Sequence, residues 1–288
     1  MENRETEEKR YNNKDNSLHR KFVPAAIIFS LLLVFGFVLV LSELESIYPE
    51  IGAEVIRKEA ASVFMKEPND LNDEDFAKVK VLNLSRKMIC DIKLLENFEN
   101  LEELNLSFLE APKTKKPKWM AVLAKLNIYN SSESKTIDLS PLKNLTNLRK
   151  LDLRMTAVKN VKPLARLKNL EILILDSTHI ENIKPLENLV NLREFDFSFT
   201  KVSDLKPIRK LTNLETLKLN FAKIRSLDAI GDLSNLQSLS IAASTVSNLK
   251  PIKKLNNLRE LDLRWCDRIT DKQVDDLKEA LPELKIIR

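Results

Sequence analysis

Three glycines in 288 residues, Gly36, Gly52 and Gly231, stand alone, so no glycine-rich phosphate loop is present. The chain holds two cysteines, Cys90 and Cys266, and two histidines, His19 and His179. It has no CxxC, no HExxH and no clustered ligand set, so neither a metal nor a cofactor is expected. Charge of one sign is lacking too. The 47 basic and 42 acidic residues are interleaved, for a formal charge of +5. A nucleic-acid footprint needs positive charge gathered on one face, so this pattern reads as a solvated surface with no nucleic-acid partner. The 43% of hydrophobic residues suffices for a sizeable core in one or two domains.

The one long uncharged run is Phe22 to Leu41, FVPAAIIFSLLLVFGFVLVL. At roughly 1.5 Å per residue a helix over it spans about 30 Å, the thickness of a bilayer's hydrocarbon core. In lipid the backbone must satisfy its own hydrogen bonds, which predicts a transmembrane helix over 22–41 with Pro24 in its tolerant first turn. A cleaved signal peptide is the competing reading. The run is longer than such signals need, and Val40 and Ser42 offer only a weak cleavage context. A buried core helix is seldom apolar on all faces. Lys9, Arg10, Lys14, Arg20 and Lys21 precede the run, whereas Glu43, Glu45 and Glu50 follow it before Arg57 and Lys58. The positive-inside rule then puts the N-terminus in the cytoplasm and everything after Leu41 outside. Residues 1–21, polar and without a core, read as a disordered cytoplasmic tail. Residues 42–78 read as a linker and an N-terminal helical cap.

From Val79 onward the chain repeats itself. NLRKLDL, NLEILIL, NLREFDF, NLETLKL, NLQSLSI and NLRELDL begin at Asn147, Asn169, Asn191, Asn213, Asn235 and Asn257, in steps of 22 residues. The LxxLxL frame also fits at Val79, Leu101, Leu123 and Leu281, giving ten units. A fixed short period is the signature of a solenoid. Within a unit, Leu151 and Leu153 alternate with polar neighbours, as in a short strand with one buried face. Thr156, Val158 and Val161 turn inward. Lys162-Pro163-Leu164 then starts a helical turn, with proline suited to its first position. Pro185, Pro207 and Pro251 recur there, and Ala229 replaces one of them. Leu164 and Leu167 face the core, and Asn169 closes the unit in a turn. Stacked units pair their strands in parallel around a leucine core that no single unit could form. Two stretches break the pattern and read as loops: residues 111–118, APKTKKPK, and the 25-residue step from Leu123 to Leu148.

Both ends carry capping signals. Val55, Ile56, Ala60, Val63 and Phe64 form an apolar stripe at helical spacing. Thr270-Asp271-Lys272-Gln273 is a capping box, after which Val274, Leu277 and Leu281 line a helix before Leu284 and Ile286.

These LxxLxL repeats resemble the leucine-rich-repeat family, in particular the 22-residue class of internalins and related bacterial surface proteins. The resemblance covers residues 79–288, and LNDEDFAKVKVLNLS is similar to the segment that leads into such bacterial repeats. It implies an α/β solenoid, a leucine-rich-repeat horseshoe with a parallel concave sheet and helical caps at both ends, here preceded by one transmembrane helix. The LxxLxL matches are specific to the fold and not to any one function. The family often places asparagine after the strand. This chain has Thr156, Thr178, Thr200, Ala222, Ser244 and Cys266 there, and Ala222 has no group to make the corresponding bond.

On the concave face, the residues directly after each strand are Phe108, Asn130, Met155, Ser177, Phe199, Phe221, Ala243 and Trp265. The outward column before them holds Tyr129, Arg154, Asp176, Ser198, Asn220 and Arg264, with Asp152, Asp196 and Asp262 one outward position earlier. Large exposed aromatics are enriched at interface hot spots. The expected partner-binding set is therefore Phe108, Tyr129, Arg154, Asp176, Asp196, Phe199, Phe221, Arg264 and Trp265. The plainer alternative is that the rings fold over the rim and pack against the next loop. No nucleophile–base–orienter set can be assembled, so no catalysis is expected. His179 reads as a surface or packing residue. Cys90 and Cys266, in the first and ninth units, fall about 40 Å apart at a strand spacing of about 4.8 Å, too far to bridge, and read as buried thiols. Asn83, Asn105, Asn130 and Asn144 match the glycosylation pattern, the first two within expected strands.

Taken together, the sequence points to a single-pass membrane protein whose extracytoplasmic repeats bind a protein, with the bilayer met through 22–41. Two other readings stand beside it. One is a membrane scaffold acting through its tail or transmembrane helix. The other is a cytosol-facing regulatory adaptor of inverted topology.

Overall fold

The computed structural model describes residues 52–87, 89, 91–109 and 136–288. The tail 1–21, the expected transmembrane helix 22–41, the segment 111–118, Tyr129 and Cys90 lie outside the described residues. Among the described residues no helix is long and apolar enough to cross a membrane.

Each repeat contributes a strand of three residues. These are β1 Val81–Asn83, β2 Glu103–Asn105, β3 Lys150–Asp152, β4 Ile172–Ile174, β5 Glu194–Asp196, β6 Thr216–Lys218, β7 Ser238–Ser240, β8 Glu260–Asp262 and β9 Lys285–Ile287. They form one parallel sheet in chain order. The register stacks like on like: Leu151 on Leu173, Leu173 on Phe195, Phe195 on Leu217. A one-residue slip would turn every one of these side chains to water, so the leucine pattern fixes the register. The ladder runs on past each strand, with Leu153 N–H donating to Ile174 O and Met155 N–H to Asp176 O.

Among the described residues the sheet has nine rungs. β2 pairs directly with β3, Leu104 against Leu151. The pairing continues from Leu106 N–H to Asp152 O and from Phe108 N–H to Arg154 O. The edge of β2 that faces β3 is thus occupied; the unit at Leu123 lies outside the described residues. A strand has two hydrogen-bonding edges, so membership of a sheet depends on which edge is free as well as on the local pattern. Cys266 accordingly follows the eighth strand; its buried thiol donates to Ile241 O.

Behind the sheet each unit makes a 3-10 turn. Lys162–Arg166, Lys184–Leu186, Lys206–Lys210 and Lys250–Lys254 all carry proline at their start. An Asn or Asp two residues before the lysine presets the bend by accepting its N–H, as from Lys184 to Asn182 at 2.8 Å and from Lys206 to Asp204 at 2.9 Å. Where Ala229 replaces proline, the turn begins later, at Ile230–Asp232. The asparagine that closes each unit also ties it to the one before. The side-chain amides of Asn169, Asn191, Asn213 and Asn235 each donate at 2.9 Å to a main-chain carbonyl 23 residues earlier.

The caps shield the ends of the core. Helix α1 covers 52–64, with Ile56, Ala60 and Ala61 buried against the first rung. Val63 departs from the expected stripe and is 56% exposed. It lies on the last turn, where Met65 takes φ 53° and Lys66 N–H returns to Ala61 O at 3.2 Å. This left-handed close ends the helix beyond the edge of the core. Gly52 opens α1 so close to the Asp91 carbonyl that a Cβ there would collide with main chain. Helix α2, Asp73–Lys78, is fixed by a reciprocal Asn72–Asp75 capping box and buries Phe76. Helix α3, Asp271–Ala280, uses the Thr270–Gln273 box and buries Val274 and Leu277 before β9 completes the sheet. One continuous apolar cluster runs from Ile56 to Leu284.

Candidate functional site

The exposed face of the sheet is bordered by a turn that every unit makes just after its last inward residue. At that point Arg86, Phe108, Met155, Ser177, Phe199, Phe221, Ala243 and Trp265 all adopt φ between 53° and 59°. This left-handed conformation costs an L-residue roughly 1–2 kcal/mol, and no glycine relieves it. Main-chain bonds hold it: Phe199 N–H donates to Asn220 O at 2.7 Å and Phe221 N–H to Ala242 O at 2.9 Å. The next residue braces the turn from inside. The buried hydroxyls of Thr178 and Thr200 each donate at 2.7 Å to the carbonyl three residues back. At Ala222, which has no hydroxyl, the main-chain N–H reaches Leu219 O at 3.3 Å.

The left-handed turn throws its side chain outward. Phe199, Phe221 and Trp265 are 53%, 47% and 65% exposed, and Phe108 is also exposed. The rings lean on one another and are not tucked under the next loop. Phe199 and Phe221 stack with centroids 4.4 Å apart and planes 15° from parallel. Trp265 reaches past the small Ala243 to lie 6.1 Å from Phe221. At the two ends of the row an arginine covers a ring: Arg86 lies 5.4 Å from the Phe108 centroid and Arg264 5.5 Å from that of Trp265. Phe199, Phe221 and Trp265 thus form an aromatic ledge along one border of the sheet, with Phe108 set apart from it by Met155 and Ser177.

The outward columns beside the ledge are more constrained than the sequence suggests. Asp152 and Asp262 do not project freely; each is buried beneath its own arginine. Arg154 Nε lies 2.9 Å from Asp152, and Arg264 lies 2.7 Å from Asp262. The Arg264 guanidinium holds the Asp262 carboxyl below the usual carboxylate range, and Asp152 in turn raises Arg154. The same carboxylates accept a main-chain N–H two residues on, from Arg154 at 3.0 Å and from Arg264 at 3.1 Å, bracing the strand end. Asp196 does likewise for Ser198 at 2.9 Å.

Asp176 and Asp196 differ from these pairs. Among the described residues no lysine or arginine bonds to either, because Arg154 is engaged by Asp152 and Lys218 turns to Glu194 at 3.1 Å. Asp176 accepts only the Ser177 hydroxyl, at 3.2 Å. Burial pushes its carboxyl up and the charge of Asp196 adds to this, while Ser177 and Arg154 oppose it. Further along, the face satisfies itself: Asn220 Oδ1 accepts from the Ser240 hydroxyl at 2.6 Å and from Ala242 N–H at 2.8 Å.

The structure thus brings Phe199, Phe221, Trp265, Asp176 and Asp196 onto one stretch of the face. It gives Arg154 and Arg264 to intramolecular pairs and places Phe108 toward the N-terminal end. Glu194 and Lys218 also belong to this stretch; they occupy outward strand positions, a signal the repeat frame already contains. His179 is exposed. Among the described residues no group of His, Cys, Asp or Glu could hold a metal ion.

Residues 190–233 match the family model described as Leucine Rich repeats (2 copies). A search of curated proteins gives no match by sequence. Among solved structures, internalin C2 from Listeria monocytogenes is 24% identical with a TM-score of 0.56, over 73% of this chain and 92% of that one. An internalin (inlF) from the same organism is 21% identical with a TM-score of 0.55, over 84% of this chain and 76% of that one. The plant peptide hormone receptor RGFR1 in complex with RGF2 is 18% identical with a TM-score of 0.51, over 72% of this chain and 32% of that one. At these identities the likeness is one of fold. Residues 190–233 are leucine-rich repeats, and the nine parallel strands form a solenoid of the kind seen in internalins.

Proposed function

We propose that this chain is a membrane-tethered recognition module that binds a protein partner on the concave, exposed face of its sheet. The carrying observation is the aromatic ledge, with Phe199, Phe221 and Trp265 half-exposed at strained left-handed positions where glycine would sit without cost. Backbone strain of this kind concentrates at sites of function, and exposed stacked rings are the usual anchors of protein interfaces. The likeness in fold to a plant peptide hormone receptor solved in complex with RGF2 is consistent with this reading. The absence of any assembled nucleophile–base set in the sequence favours binding over catalysis.

The proposed topology keeps the N-terminus in the cytoplasm, spans the bilayer with 22–41 and presents the repeats outside. Protease applied from the cytoplasmic side of intact membranes should leave the repeats uncut; cleavage there would overturn the topology and favour a cytosol-facing adaptor. Partner binding is tested by crosslinking in native membranes, comparing wild type with Phe199→Ala/Phe221→Ala. The expected result is a crosslinked protein seen with the wild type and lost with the variant, with unchanged thermal melting. Equal crosslinking together with a lowered melting temperature would mean that the rings only pack the rim.

A further inference from the structure

The exposed face carries a local surplus of negative charge beside rings that lack a cation, and both defects have the same remedy. Around β3–β6 four carboxylates, Asp152, Asp176, Glu194 and Asp196, share the outward face with three cations, Arg154, Lys218 and Lys150, which are spent on Asp152, Glu194 and, in β2, Glu103. Asp176 and Asp196 are left half-buried and mutually repelling, with no lysine or arginine bonded to either among the described residues. The ledge shows a parallel pattern. Arginine lies over Phe108 and over Trp265, but among the described residues no cation lies over Phe199 or Phe221 in the middle. Asp196 and Phe199 share one rung, and Asp176 lies on the rung before it. The acidic pair and the bare rings are therefore neighbours at a strand spacing of about 4.8 Å.

We infer that the partner segment received on this face is cationic: an extended stretch that sets an arginine or lysine between Asp176 and Asp196 and an apolar side chain against the Phe199–Phe221 stack. This inference rests on the concave-face reading above and names the partner's chemistry. Side chains two apart on an extended chain lie about 6.8 Å from each other, which matches a step from the acidic pair to the ledge. A guanidinium would offer both carboxylates a charge-assisted hydrogen bond, and its flat side would stack on the uncovered rings. A partner with acidic groups here would meet an unrelieved like charge.

The test uses the full chain in phosphatidylcholine nanodiscs, with empty discs as blank, at physiological salt. Two fluorescein-labelled octapeptides serve as probes. Both have serine at odd positions; one alternates arginine and phenylalanine at even positions, and the other alternates glutamate and phenylalanine. Fluorescence anisotropy should show the arginine peptide binding at least about tenfold more tightly. Asp176→Asn/Asp196→Asn should abolish that preference, and Phe199→Ala/Phe221→Ala should weaken the arginine peptide without reversing it. Equal binding of the two peptides, binding of neither, or a preference that survives the asparagine variant overturns the inference. If the glutamate peptide binds equally and is lost with the Phe199→Ala/Phe221→Ala variant, the recognition face stands and the cationic partner falls. If neither pair of substitutions changes either peptide, both fall.

Discussion

Asp152-Leu153-Arg154 and Asp262-Leu263-Arg264 are the same three residues at the same register, one starting on the last residue of β3 and the other on the last residue of β8. Locally they fold alike: each aspartate is buried under its arginine and accepts its main-chain N–H. Their surroundings differ. The rungs following β3 bring Asp176 and Asp196, while the rung before β8 brings Ser240 and Ala242, which are satisfied through Asn220. Sequence within a repeat sets the pair, and the neighbouring repeat sets the field in which the pair works. Recognition chemistry in such a stack is a property of adjacent rungs.

The inward face should not distinguish the two regions at all. Leu173→Ala and Leu239→Ala, both fully buried, should each cost about 2–5 kcal/mol in chemical unfolding of the fragment 49–288, which forms one compact unit. A clear inequality between them would show that the core is not uniform along the stack.

The outward face should distinguish them. Arg154→Ala leaves Asp152 buried beside two further carboxylates and should cost about 1–3 kcal/mol. Arg264→Ala should cost less, because no neighbouring carboxylate among the described residues adds its charge to that of Asp262. Equal losses in urea midpoint would remove the asymmetry on which the comparison rests.

A smaller effect concerns the ledge that joins the two regions. Ala243 holds φ 54° and has no ring to lose, so Ala243→Gly should raise stability by about 0.5–1 kcal/mol by differential scanning calorimetry. No gain would mean that the left-handed turn carries little strain.

The smallest effect is a pH dependence of opposite sign at the two sites. Asp176 is raised, so its ionisation opposes folding at neutral pH. That penalty is relieved as pH falls through its raised value toward the ordinary carboxylate value. Asp176→Asn should therefore stabilise at pH 7 and lose this advantage in acid. Asp262 is lowered; its contribution is present above the ordinary carboxylate value and is lost as pH falls through its folded value. Asp262→Asn should destabilise at pH 7 and become neutral in strong acid. Urea midpoints of both variants at pH 7 and pH 3, moving in the same direction, would contradict the assignment.

Most of the fold was legible in the chain. The 22-residue leucine period predicts the strands and their register, Pro163, Pro185, Pro207 and Pro251 place the turns, and the Thr270–Gln273 box starts α3. These features are local: each depends on residues within a few positions of one another, or on strict repetition. The columns beside the sheet were legible for the same reason. The direction in which each side chain is engaged was not, so Asp152 and Asp262 looked free when each is held by an arginine two residues away.

What the sequence determined by itself is the period, the inward leucines, the proline turns and the exposed aromatic column, because spacing alone decides which side chains can share a face. The tertiary structure decided the rest. It seated β2 directly on β3, Leu104 against Leu151, a pairing that the 22-residue period alone does not specify. It also put Phe199 and Phe221 in register to stack, and Asp196 one rung from Asp176 with no cation bonded to either among the described residues, because contacts across 20 or more residues form only when the units close on one another.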